Sequence, residues 1–337
     1  MLNKHKDAIA SLALILTIGL ASYATEKIAG DSFADPLLLA LIIGITLRSM
    51  INFDQKKIDF FKLAPKVLIP VGIIFYALIN LNFVKYSKND PMLILLTFGV
   101  VAVYFLSIIV SGKLLKQKKE ISYLVASSSG ICGASAIVVT SHAMDAESDD
   151  VSVSLIAVTF VGLLALFVVL PFVGTIMGLN NEVYAIFAGT TMQYTGFVKA
   201  AMNYIPPLVE KVDVLYATKL ALSVKALRYL ALIVAIPVFG SVRKNKVYTL
   251  GILIIFIIGG ILGSYCYGNH RSFYDELLSP IIKPIYVSLW AIAMAAIGLN
   301  ADARKILSDN GLKALLMATI GFICASVFFL VMINFIR

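Results

Sequence analysis

Residues 127–141 read SSSGICGASAIVVTS, inside an apolar segment running from about Ile121 to Ala143. A run of that length can cross a bilayer. Its middle, however, carries Ser127, Ser128, Ser129 and Ser135 together with Gly130 and Gly133. This composition suits a helix that stops, shows its backbone and starts again, which hydrocarbon tolerates only where the break is buried in protein or lines a polar cavity. The second half-helix, from about Ser135, would point free N–H groups and a positive dipole end into the membrane middle, a ready place for an anion. Close helix packing through small residues is the alternative.

Working outward, the 337 residues are 60% hydrophobic and only 14% charged, with a mean hydropathy of +0.93. Soluble domains carry about 25% charged residues, so the chain is an all-α polytopic membrane protein. Topology accounts for the net charge of +9 better than nucleic-acid binding does. Cys132, Cys266 and Cys324 show neither a disulfide framework nor metal-ligand spacing. The N-terminal MLNKHKD and its following apolar run read as a retained first helix, since no small-residue cleavage site follows.

Apolar runs separated by charged turns predict about eleven spans. Their limits are near 8–25, 35–50, 63–80, 91–112, 121–143, 151–177, 183–204, 214–240, 247–267, 278–299 and 314–336. On that count Lys4, Lys6, Arg48, Lys56, Lys57 and Lys62 share one side. Lys113–Lys119, Arg243, Lys244, Lys246, Arg304, Lys305 and Lys313 fall there too. The acidic loop Asp145–Asp150 falls on the other side. The positive-inside rule then places the N-terminus in the cytoplasm and the C-terminus outside the inner membrane.

Segment 57–79 lies over 211–233 without a gap, matching Lys57 with Lys211, Asp59 with Asp213, and Ala77-Leu78-Ile79 with Ala231-Leu232-Ile233. ALIIGITL at 40–47 likewise resembles AIFAGTTM at 185–192. These pairings suggest an inverted 5+5 repeat, 31–178 and 179–337, after an additional helix within 1–30, all in one membrane transport domain. The tenth span, with Pro280, Pro284 and a Gly298-Leu299-Asn300 ending, should then be a second interrupted helix near Ser127–Gly133, an intact helix with a small-residue face being the alternative.

CGASAI at 132–137, AGTTMQYTGFVKAA at 188–201 and AMAAIGLNAD at 293–302 carry a resemblance over nearly the whole chain to the YeiH-type bacterial inner-membrane proteins, often labelled sulfate exporters. That family looks related to the cation/proton antiporter and bile-acid symporter group. The resemblance implies two crossing discontinuous helices in a core domain (spans four to six and nine to eleven) beside a panel domain (spans two, three, seven and eight). Family members commonly carry a His-Asp pair in the seventh-span motif. Here Gln193 and Tyr194 replace it, and Lys199 stands at a usually apolar position, while Thr195 and Val198 are kept. Proton coupling through that motif is therefore in doubt.

No Asp or Glu falls at the middle of a span, but Lys225 and Arg228 do, three residues apart on one helical face. They suit either anion recognition or neutralisation of helix C-terminal carbonyls. Lys66, Lys219 and Lys283 lie near membrane ends and are expected to snorkel. His142 reads as a surface histidine, and Trp290 as packing. The candidate substrate-binding set is Ser127, Ser128, Ser129, Gly130, Cys132, Gly133 and Ser135 from the fifth span, with Thr190, Thr191, Gln193 and Thr195 from the seventh. Lys225, Arg228 and Asn300 complete it.

No phosphate loop, dinucleotide fingerprint or HExxH motif is present, so neither an enzyme nor a cofactor or metal site is expected. The leading reading is a secondary transporter of a small anion, sulfate or an organosulfonate, by alternating access. A sodium- or proton-coupled carrier, a non-transporting sensor or channel, and an intramembrane hydrolase, for which Ser and His are present but without a nucleophile–base spacing, are the other classes. Expected partners are a small-molecule or ion substrate and the lipid bilayer, not nucleic acid; homodimerisation is left open.

Overall fold

The computed structural model describes residues 2–29, 35–51, 53–203, 214–242 and 246–336. The sequence readings at Lys211, Asp213, Arg243 and Lys244 fall outside them. Among the described residues the structure is all-helical. Local signals set several helix starts. Asp35 accepts from Leu37 and Leu38 N–H at the head of α2 (Pro36–Met50), with Pro36 in the first turn. Asp90 accepts from Met92 N–H before Pro91 for α4 (Pro91–Leu114), and Asn180 from Val183 N–H before α8 (Asn181–Thr191).

The other helices are α1 (Leu2–Ala29), α3 (Gln55–Asn80), α5 (Lys119–Ser127) and α6 (Ala134–Met144). Ser148–Ile176 forms α7, with a π turn at Ala165–Val169. Then follow α9 (Thr195–Asn203) and α10 (Val214–Gly240), which tightens to 3₁₀ at Arg228–Ala231. The last three are α11 (Lys246–Asn269), α12 (Phe273–Asn300) and α13 (Asp309–Ile336).

The segment from Lys119 to Met144 does not cross. Lys118, just before α5, pairs with Glu147 at 3.2 Å and Asp150 at 2.6 Å, just after α6. Halfway in, the Ser127 and Thr140 hydroxyls meet at 2.9 Å. α5 and α6 are therefore the two arms of a re-entrant hairpin. Burial pulls the Lys118 ammonium down, and Asp150 and Glu147 more than offset this, so its pKa stands above the usual lysine value. The sequence reading that put Lys113–Lys119 and Asp145–Asp150 on opposite sides is corrected: the two loops share a face. Lys66 beside Asp145 (3.8 Å), Lys305 on Asp149, and Gln117 donating to Asn310 O (2.7 Å) gather the loops of α3, α12 and α13 onto the same, basic face.

A second hairpin enters from the opposite face. α7 carries the chain across from Ser148, α8 runs inward to Thr191, and α9 turns back from Thr195. Lys199 on α9 shares a cavity with Asp35 and Asn80, which mark that opposite face. Hence the predicted fifth and seventh spans are hairpins. Among the described residues seven helices are long and apolar enough to cross a membrane, and shorter apolar helices lie at Ile9–Thr25 within α1 and at Pro36–Met50, α2. Ala29 and Pro36 are seven residues apart, a reach of at most about 25 Å, less than the roughly 30 Å of hydrocarbon. So α1 ends where α2 begins, at the opposite face.

Two helix groups make up the molecule. α12 packs along α1, α2 and α3, and α11 packs on α3. Gly44 of α2 and Gly298 of α12 touch backbone to backbone, a contact that a Cβ on either would block. In the other group α13 lies antiparallel on α4 and also on α7, while α10 holds α8 and α9. This differs from the core-and-panel division implied by the resemblance: spans nine and ten pack with two and three, and seven and eight pack with four to six. The matched stretches 40–47 and 185–192 fall on different kinds of element, the first inside α2 and the second inside the hairpin arm α8. The tenth span is continuous: Pro280 directly follows a π turn at Phe273–Leu278, and Pro284 lies inside the α-helical part without breaking it.

Candidate functional site

The two hairpin tips meet at mid-depth. α5 widens into a π turn over Ser128–Cys132, and Gly133 then takes φ 75°, ψ −128°, a conformation open essentially to glycine. α8 ends at Thr191, and Met192 is extended. Both ends leave carbonyls without intrahelical donors. Lys225 fills three of them, donating to Ile131 O (2.9 Å), Met192 O (2.6 Å) and Gln193 O (2.7 Å). Arg228 donates from Nε to Gly130 O (2.9 Å), from Nη1 to Met192 O (2.7 Å) and from Nη2 to Ser129 O. Tyr104 donates to Thr191 O at 2.6 Å and lies beneath the guanidinium.

Both cations are fully buried, and every ammonium proton of Lys225 is used. Of the two roles the sequence allows, the geometry is that of charge at helix C-terminal ends. Neither residue lines either of the two cavities that flank the junction.

Two cavities flank this junction, one on each face. That on the opposite face, about 240 Å³, is walled by Tyr76, Tyr286 and Trp290 on one helix group and by Tyr194 and Tyr229 on the other. Its depth holds Cys132 and Ser135 at the head of α6 and Thr195, Gly196 and Phe197 at the head of α9. Asp35, Lys199 and Lys283 also line it. The cavity on the basic face, about 450 Å³, is lined by Ser141, His142 and Asp145 on the hairpin side and by Lys62, Lys66 and Asn300 across from them. α6 spans the partition: Ser135 and Ser141, about 9 Å apart along the helix, face different cavities. Trp290 closes the rest, its Nε1–H donating to Ile69 O at 3.2 Å.

Of the residues singled out from sequence, Cys132, Ser135 and Thr195 line the first cavity and Asn300 the second. Ser127 is bound to Thr140 and Leu124 O, and the Thr190 and Thr191 hydroxyls return to carbonyls of their own helix. The hydroxyls of Ser128 and Ser129 and the Gln193 amide are buried without a partner. Gly130 packs on Phe105. The aromatic wall was missed, because tyrosines inside apolar runs read as packing. Lys66 and Lys283, read from sequence as lying near membrane ends, also line the two cavities.

Comparison with known proteins agrees with this picture of a membrane protein. The profile of the family described as conserved hypothetical protein 698 matches residues 10–318. A UPF0324 membrane protein of Brucella melitensis is 28% identical over 96% of this chain and 90% of its own length. One of Archaeoglobus fulgidus is 24% identical over 96% of this chain and 92% of its own, and one of Listeria monocytogenes is 27% identical over 99% and 97%. No solved structure matches the chain.

Proposed function

The chain belongs to the family of conserved hypothetical protein 698, and from that premise we propose that it is a secondary transporter, not an enzyme, moving a small anion by alternating access. One observation carries the reading: two cavities on opposite faces, both between the two helix groups, with α6 and the Trp290–Ile69 contact between them. A shift of one group against the other would close one cavity and open its partner to the same depth.

The sign of the substrate follows from the hairpins. Lys225 and Arg228 cancel the negative ends of the inbound half-helices. The positive heads of α6 and α9 are left facing the cavity on the opposite face. Among the described residues, Lys199, Lys283 and Asp35 are the charged side chains that line it. Sulfate and an organosulfonate are the first candidates. By the positive-inside rule the basic face is cytoplasmic in an inner membrane.

A sodium- or proton-coupled carrier is the second reading, favoured by the unpartnered buried hydroxyls of Ser128, Ser129 and Ser154 and the amide of Gln193. The hairpin carbonyls that would bind sodium are already taken by Lys225 and Arg228.

Counterflow in proteoliposomes tests the proposal. Vesicles preloaded with unlabelled sulfate or benzenesulfonate should take up the labelled form of that anion several-fold faster than unloaded ones, with saturation. Folded protein giving no uptake above empty liposomes, or flux without trans-stimulation, would reject it; dependence on a sodium gradient would favour the second reading.

A further inference from the structure

We infer that the cavity on the opposite face takes an organic anion, with one charged oxyanion head on an apolar and preferably planar body, rather than a bare inorganic dianion. The inference rests on the anion reading above and narrows it.

What the cavity offers is ring surface. Each aromatic side chain in its wall has its polar tip tied to protein. Tyr76 Oη lies 3.4 Å from Cys132 Sγ, Tyr194 Oη 2.6 Å from Thr159 Oγ1, and Tyr229 Oη 3.2 Å from Thr195 Oγ1. Tyr286 Oη accepts from Asn80 Nδ2 at 3.1 Å, and the Trp290 indole N–H is held by Ile69 O. The rings also fix one another: Tyr76 lies 4.9 Å from Trp290 and 5.5 Å from Tyr286, centre to centre. Polar tips engaged with protein and rings packed against one another leave apolar faces turned to the ligand.

A tetrahedral dianion entering such a place would lose hydration on every side, and each lost hydrogen bond must be replaced. Among the described residues, replacements lie at the deep end, at the heads of α6 and α9 with Ser135, and at Asn80 and Lys283 farther out. A single charged head can use the deep end while an apolar body covers the rings. The volume of about 240 Å³, against about 30 Å³ for one water in the liquid, leaves room for that body.

The test is competition against labelled benzoate on the purified full-length protein, using benzenesulfonate, methanesulfonate, inorganic sulfate and the uncharged benzamide. Benzoate and benzenesulfonate should bind at least tenfold more tightly than sulfate, and benzamide at least tenfold more weakly than benzoate. Sulfate binding as well as benzoate would overturn this inference and leave the anion reading standing. Benzamide binding as well as benzoate, or no binding by any of these, would overturn both. Tyr286→Phe keeps the ring and should keep benzoate affinity. Tyr286→Leu should lose about three- to tenfold for benzoate with little change for methanesulfonate. An unchanged benzoate affinity in folded Tyr286→Leu also sinks the inference.

Discussion

Gly133→Ala is expected to cost about 2–6 kcal/mol of stability, enough to remove most folded protein from a detergent extract. Two independent effects add. The backbone at φ 75°, ψ −128° is closed to a residue with a Cβ at a cost of about 1–3 kcal/mol. That Cβ would also stand 2.7 Å from Cδ1 of Tyr194, and overpacking of this kind costs about 1–3 kcal/mol. Gly178→Ala is the control, since Gly178 has φ +55° but open space around it, and its loss should be about 1–2 kcal/mol. Thermal unfolding followed by size-exclusion chromatography measures both. Equal losses in the two variants would mean that the hairpin tips do not meet at Gly133.

Lys225→Met should be as damaging. It strands Ile131 O and Gln193 O, which have no other donor in the clamp, whereas Met192 O keeps Arg228. Two buried acceptors left unsatisfied cost about 2–6 kcal/mol together. Arg228→Lys keeps the charge but cannot span Ser129 O, Gly130 O and Met192 O as the guanidinium does. A smaller loss, about 1–3 kcal/mol, is expected there. Anion affinity in whatever folded Arg228→Lys remains should be close to wild type, because the side chain reaches neither cavity. A folded Lys225→Met protein with wild-type thermal stability and weakened anion binding would instead return these residues to the substrate site.

The break in the fifth apolar run was legible because serines and glycines crowd at 127–133, and its reason is structural: only glycine fits at Gly133. That the chain returns was not legible. Hydropathy over 121–143 is the same for one crossing helix as for two short arms, and the Ser127–Thr140 contact is not written as a motif. Loop charges did not expose the error. Two hairpins, one from each face, leave the parity of the count unchanged, so the basic loops before and after them keep their side. Only the loops at 145–150 and 177–180 change face, and the first of these is acidic, which satisfied the expectation. The complement of Lys118 with Glu147 and Asp150 was the available signal. The binding wall was hidden for another reason: Tyr76, Tyr194, Tyr229, Tyr286 and Trp290 come from three separate helices and the break at Tyr194, and only packing brings them together.

The central claim is that Lys119–Met144 enters and leaves by one face while Asn181–Asn203 enters from the other. Membrane-impermeant thiol labelling of single cysteines at Lys116, Glu147 and Glu182, in a variant whose native cysteines are replaced by serine and reconstituted in one orientation, tests it most directly. The account predicts that Lys116→Cys and Glu147→Cys react from the same side and Glu182→Cys only from the other. Glu147→Cys reacting from the side opposite Lys116→Cys would contradict it.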